Sequence, residues 1–441
     1  MAQTMPPRPV AYPFRPFASG HVVLMVFAVL LLINHLGRPF EHVLVGLRIP
    51  AVICTLGILV AIAGGLPAFK TNVGLVFAAL IGWMLLITPL STWKGGSVTY
   101  ILSFFQFWLI LFMILACAPK TLNQLKWLAS VTALATVVNI IIAGRFNNEN
   151  RFEMEGTFGN SDDAAILAGF AIPFWLFMTS RLNVFVRLIV GAAGAIFLLR
   201  VLVQTGTRSV IISMVCMFLV WFFRTTTLNR FVGVIVLALA IMGIVATTST
   251  VVIDRLATTL SAFSGSDRPS DEASQSAAER RELMKDGLWT TLTHPIWGVG
   301  PGQFGQYRWS TLSKPDKPKT WFKTHNTYLE LSADNGIPGV LIYLVFIWVT
   351  YKAIRRVRNA TAAQTSPNLR MAFQLASCLE LALVFFAVTA LFMTVEGHPY
   401  MFILAGLAIA AERLVQVELR RAQPAPLVAP FPAARSLIGA R

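Results

Sequence analysis

The chain has 441 residues, of which 13% are charged and 56% hydrophobic, and its mean hydropathy is +0.67. A soluble domain carries roughly a quarter charged residues, so a single water-soluble globule is excluded. The net charge of +16 does not mark a nucleic-acid surface either, because the basic residues fall in ones and twos between apolar runs.

Residues 1–19 form a Pro-rich basic tail, MAQTMPPRPVAYPFRPFAS, with no small-residue cleavage site, and are expected in the cytoplasm. Beyond it, apolar runs bounded by charges, Gly and Pro predict membrane helices near 20–36, 43–63, 71–90, 98–117, 124–143, 163–179, 184–203, 208–223, 229–248, 326–352, 370–394 and 400–418. The fold class this predicts is an all-α polytopic membrane protein of about twelve transmembrane helices with one large outer loop. Nine helices fall in 20–248, the loop in 249–325, three helices in 326–418, and a cytoplasmic tail in 419–441. The two short runs flanking QTGTRS are expected to be tilted or broken helices.

Basic residues favour every second gap: Lys70, then Lys120 and Lys126, Arg181 and Arg187, Arg224 and Arg230, and Lys352 to Arg370. The other gaps mix acids with bases, as in RFNNENRFEMEGTFGNSDD from Arg145 to Asp163 and in EGH from Glu396. The positive-inside rule then puts the first set and both termini in the cytoplasm. Cys54, Cys117, Cys216 and Cys378 all lie in apolar runs, so neither disulfides nor a metal site are expected.

The long gap before Thr324 is too long for a passive connection. Within it, Glu279 to Thr293 reads as an amphipathic helix with Leu283, Leu288, Trp289 and Leu292 on one face, stopped by His294-Pro295.

Four constellations lie on the outer side. His325 opens HNTYLELSADNGIPG, where a histidine at the polar mouth of a helix, about 16 Å above Gly336, is placed to act as a base while Gly336 and Gly339 allow close helix packing. A capping histidine at the interface fits the same pattern. Thr205-Gly206-Thr207-Arg208-Ser209 places a guanidinium at the membrane edge, where arginines pair with anions in cavities or snorkel to headgroups. Arg280-Arg281 opens the loop helix, and HPIWGVGPGQF offers a glycine-rich turn whose N–H groups suit phosphate. The segment from Arg151 to Asn160 adds further polar groups, and Trp289, Trp309, Trp321 and Tyr328 are aromatics that either stack on sugars or form an interfacial belt. The chain holds no Walker loop, dinucleotide motif, HExxH, CxxC pair or Asp-x-Asp, so no cofactor is expected.

His325-Asn326-x9-Gly336-x2-Gly339, GTRS at 206–209 and Arg280 ahead of HPIWGVGPG, set among about twelve spans with one large outer loop, resemble the O-antigen ligase/polymerase superfamily, and an O-antigen ligase most of all. The resemblance implies the C-type membrane glycosyltransferase fold. It also implies transfer of a polysaccharide from undecaprenyl diphosphate to lipid A–core on the periplasmic face of the bacterial inner membrane. His325 matches the family's essential histidine, Arg208 the arginine of its GTR motif, and Arg280 or its neighbour Arg281 the loop-helix arginine. RFEMEGTFGNSDD matches the family's Arg-x-x-Gly-x-x-x-x-Asn region in part, with Ser161-Asp162 in place of Pro-Asn.

On this reading His325 is the catalytic base, and Arg208 with Arg280 or Arg281 binds the diphosphate. Asn326, Arg151, Asn160, Trp321 and Tyr328 are further candidates for substrate contact. The reaction needs no metal and inverts the anomeric centre. The expected partners are an undecaprenyl diphosphate-linked glycan, a lipid A–core acceptor and membrane lipids, with no nucleic acid. An O-antigen polymerase, an O-linked protein oligosaccharyltransferase, and a transporter or flippase of an anionic lipid or solute are the competing readings.

Overall fold

A computed structural model describes residues 20–37, 45–146, 151–156, 159–247, 271–312 and 323–422. Its helices in chain order are α1 (Gly20–Leu32, continued as a π turn over Ile33–Gly37), α2 (Ile49–Gly64), α3 (Asn72–Ile87), α4 (Lys94–Cys117) and α5 (Leu122–Ala143). After a two-stranded hairpin come α6 (Ser161–Thr179), α7 (Val184–Gln204), α8 (Arg208–Arg224) and α9 (Thr227–Thr247). The loop helix α10 (Asp271–Thr293) and the short α11 (Phe304–Tyr307) precede α12 (Thr327–Thr361), α13 (Pro367–Thr389) and α14 (Tyr400–Ala422).

Among the described residues, eight helices are long and apolar enough to cross a membrane: α3 extended to Leu90, α4 to α7, and α12 to α14. The chain is therefore a polytopic all-α membrane protein. The other four predicted spans coincide with α1, α2, α8 and α9, of which α1, α2 and α8 are shorter, at 13, 16 and 17 residues. The predicted N-terminal tail, residues 423–441 of the predicted C-terminal tail, and the stretches 249–270 and 313–322 of the predicted loop lie outside the described residues.

Polar residues at the breaks between apolar runs start these helices. Thr71, Thr121, Asn160 and Asn326 each accept a hydrogen bond from a backbone N–H of the first turn. In the middle of the bundle the aromatics interlock: Phe77 of α3 lies 5.1 Å from Phe346 of α12, 4.7 Å from Phe112 of α4 and 5.5 Å from Phe402 of α14. At the end of the bundle away from His325, the buried Glu380 of α13 pairs with Arg224, with Arg355 at 3.7 Å and with Arg358 at 2.9 Å.

One local feature was not anticipated and two expectations are corrected. The 144–154 region forms a hairpin, β1 (Gly144–Phe146) against β2 (Phe152–Met154), with Arg145 opposite Glu153. The predicted apolar face of α10 is split, since Leu283 is buried beside Gly287, Thr290 and Thr291 while Leu288, Trp289 and Leu292 are exposed. The small and hydroxyl residues win the packed face because α10 approaches α12 closely: Thr291 meets Ser332 at 2.8 Å, and a Cβ on Gly287 would lie 2.8 Å from Thr324.

The second correction concerns Gly336, which does not simply let two helices approach. It breaks α12, with φ 70° and ψ 178°, and a Cβ there would meet the carbonyl oxygen of Ile296 at 2.1 Å. The break leaves helix carbonyls without intrahelical donors, and the turn after α10 together with Trp83 of α3 supplies them. Val299 N–H donates to Ala333 O at 2.9 Å, Gly300 N–H to Asp334 O at 2.9 Å, and the Trp83 indole to Asn335 O at 2.8 Å.

Candidate active site

The glycine-rich turn is the first constellation that the structure assigns. Besides the two carbonyl contacts above, Gly302 N–H and Phe304 N–H donate to the Asp334 carboxylate at 3.1 and 2.7 Å. Its donors are thus engaged in clasping α12, and the expected phosphate cradle is not formed there. The clasp fixes α10 and the start of α12 relative to each other, and His325 stands at that junction.

His325 is held by its neighbours' hydrogen bonds. Asn326 caps α12 by accepting from Leu329 N–H at 3.0 Å, and Glu330 accepts from Thr324 N–H at 2.6 Å. The Thr324 hydroxyl donates to Asn326 O at 2.8 Å. The Thr327 hydroxyl donates to Met393 O at 2.7 Å and accepts from Val395 N–H at 2.8 Å, which ties the segment to the end of α13. Between these anchors His325 adopts φ 54°, a left-handed conformation uncommon for a residue with a Cβ. Such conformations persist where the surroundings over-determine them.

Three distant sequence segments meet beside it. Asp162, in the first turn of α6, accepts the Thr207 hydroxyl at 2.8 Å and lies 3.6 Å from the Arg280 guanidinium of α10. Arg151 donates from Nε to Thr205 O at 2.9 Å. The TGTRS turn is therefore held by Arg151 ahead of α6 and by Asp162 in its first turn, and half-buried Arg208 follows directly on the bound Thr207. Gly206, with φ 66°, makes the turn.

Arg280 and Asp162 both act on His325. Burial and the Arg280 charge hold its imidazole below the ordinary histidine value, against the opposing pull of Asp162. The ring is then neutral at neutral pH and able to take a proton. The Arg280–Asp162 pair is partly exposed, with side-chain exposures of 44% and 26%, so it contributes little stability. Its effect on the site is electrostatic, since both of its charges act on His325.

Of the other expected residues, Arg281 is exposed, while Asn160 caps α6 by accepting from Asp163 N–H at 2.6 Å. The Tyr328 hydroxyl donates to Ala387 O at 2.9 Å, and Trp321 lies outside the described residues.

The site also contains groups that sequence reasoning missed. His398 Nε2 lies 3.3 Å from Asp163, and Lys323 lies 3.2 Å from the buried Glu396, whose charge raises the lysine's pKa. Asp162, Asp163, Glu396 and His398 belong to segments read as outer gaps and, at Asp162, as a departure from the family pattern, and none of the four was named as a site residue. Acids at a membrane edge seek partners, and that cost was the available signal.

A comparison with curated proteins returns no match. A family model described as O-Antigen ligase matches residues 193–344, about a third of the chain. The matched stretch runs from α7 through the TGTRS turn, Arg280, the clasp and His325 to the first half of α12, and so contains the arginines and the histidine brought together here. Over residues 193–344 the chain is thus similar to the O-antigen ligase family.

Proposed function

We propose that the protein is an O-antigen ligase, transferring a polysaccharide from undecaprenyl diphosphate to lipid A–core at the periplasmic leaflet of the inner membrane. The observation that carries this reading is the Asp162-centred junction, which brings Arg280 and the TGTRS turn together beside a neutral His325.

The donor already carries a good leaving group, so catalysis requires positioning, proton removal and stabilisation of charge on the diphosphate. His325 takes the proton of the acceptor hydroxyl. The hydroxyl oxygen attacks the anomeric carbon, the bond from that carbon to the diphosphate oxygen breaks, and undecaprenyl diphosphate leaves from the opposite face. The anomeric configuration inverts. Arg208 and Arg280 hold the diphosphate through paired N–H groups. These two cations supply the charge neutralisation that a divalent metal gives other transferases, which is why the reaction is assigned as metal-independent.

The test is in vitro transfer with purified protein in lipid, given an undecaprenyl diphosphate-linked glycan and lipid A–core without metal or nucleotide. Glycan on lipid A–core is the expected product. Elongation of the lipid-linked glycan alone would make the protein a polymerase, and transfer only to an added acceptor protein would make it an oligosaccharyltransferase. No covalent product would favour transport.

A further inference from the structure

The loop helix α10 changes character along its length. Its middle turns expose Glu279, Arg280, Arg281 and Lys285, whereas its last two turns and the turn that follows expose Leu288 (53%), Trp289 (58%), Leu292 (63%) and Ile296 (53%). Leu288, Trp289 and Leu292 share one arc of the helix, opposite the Leu283, Gly287 and Thr290 side packed on the protein. An apolar end of this kind is costly in water and needs a covering.

Two rulers indicate what covers it. The part of α12 beyond its break at Gly336, residues 337–361, extends about 38 Å, whereas the hydrocarbon core of a bilayer is about 30 Å thick. One boundary is marked by Lys352 over Trp348 and by Arg355, Arg356 and Arg358. From Lys352 back to the break at Gly336 the helix runs about 24 Å, so a core of about 30 Å reaches past the break toward Ser332. Ser332 is the residue that meets Thr291, and Pro295, farther along, accepts from Ile337 N–H at 2.8 Å.

The second ruler is α3. A span of about 20 residues from Lys70 reaches Leu90, and Trp83 lies about 10 Å short of it. Trp83 stacks on Trp297 at 5.7 Å. By both measures the end of α10 and the Ile296-Trp297 turn lie at or within the membrane boundary. The same exposed apolar surface continues along α12 through Ile337, Leu341, Leu344 and Trp348.

The geometry points to a loop helix that descends end-on into the leaflet on the His325 side. Leu288, Trp289, Leu292 and Ile296 then contact acyl chains, with Arg281 and Lys285 at headgroup level. This anchors the helix that carries Arg280 at a fixed depth, and it does not depend on which reaction the site performs.

The test is a nitroxide scan of the full-length protein in phosphatidylethanolamine/phosphatidylglycerol vesicles, with single cysteines introduced at 281, 285, 288, 292 and 296. All five positions are exposed, so labels there displace no packed side chain, and the parent protein with its four native cysteines provides the background. The ratio of oxygen to water-soluble nickel accessibility is expected to rise severalfold from 281 to 296. High nickel accessibility at 288, 292 and 296, equal to that at 281, would place the helix in water and overturn the inference. Exclusion of both reagents at those positions would mean that protein, a second copy or another partner, covers them, and would overturn it equally.

Discussion

The Asp162 carboxylate lies 3.6 Å from the Arg280 guanidinium while also accepting the Thr207 hydroxyl at 2.8 Å. One side chain thereby couples the start of α6, the TGTRS turn and the loop helix beside His325. Its charge and that of Arg280 act on the histidine in opposite directions, which gives the account a signed test.

Asp162 raises and Arg280 lowers the pKa of His325, and burial lowers it further. A base is active when deprotonated, so kcat/KM should fall on the acid side, below the ordinary histidine range. Arg280→Gln should move that acid limb to higher pH and Asp162→Asn to lower pH, as read from kcat/KM against pH. Movement of both variants in the same direction would separate His325 from the acid limb.

Arg208→Lys and Arg280→Lys keep the charge but lose the planar fork. Each should lower kcat by on the order of 10²-fold, the scale for loss of one preorganised charge-stabilising group. Steady-state transfer by purified variants checks this, and activity retained by a lysine variant would remove bidentate phosphate binding from that position.

Gly336→Ala should destabilise the protein. The φ 70°, ψ 178° conformation is essentially restricted to glycine, and forcing another residue into it costs about 1–3 kcal/mol. The added Cβ would also press on the Ile296 carbonyl. Gly82→Ala, where a Cβ meets nothing within 4 Å, is the control, and its unfolding midpoint in detergent should match wild type while that of Gly336→Ala falls.

If Arg208 and Arg280 neutralise the diphosphate as proposed, chelator should leave transfer unchanged. Activity lost with chelator and restored by a divalent cation would contradict the metal-free reaction.

The apolar runs were legible because lipid demands long uncharged helices, so helices occupy the predicted spans from α3 to α7 and from α12 to α14. His325, Arg208 and Arg280 were singled out by a motif. Asp162 was not, because its role comes from contacts with Thr207 and Arg280 far away in sequence, and its own segment departs from the family pattern at that position. The role of HPIWGVGPG was also hidden: a glycine-rich turn that binds phosphate and one that clasps a broken helix look alike until Gly336 is seen to leave the α12 carbonyls open. The face of α10 was misread because periodicity finds apolar side chains but does not say whether protein or lipid covers them.

The most direct measurement is transfer of glycan to lipid A–core by His325→Ala, with folding in the membrane checked in parallel. General-base catalysis by His325 predicts a loss of about 10²- to 10⁴-fold in a protein that remains folded. Transfer at a near wild-type rate would contradict the account.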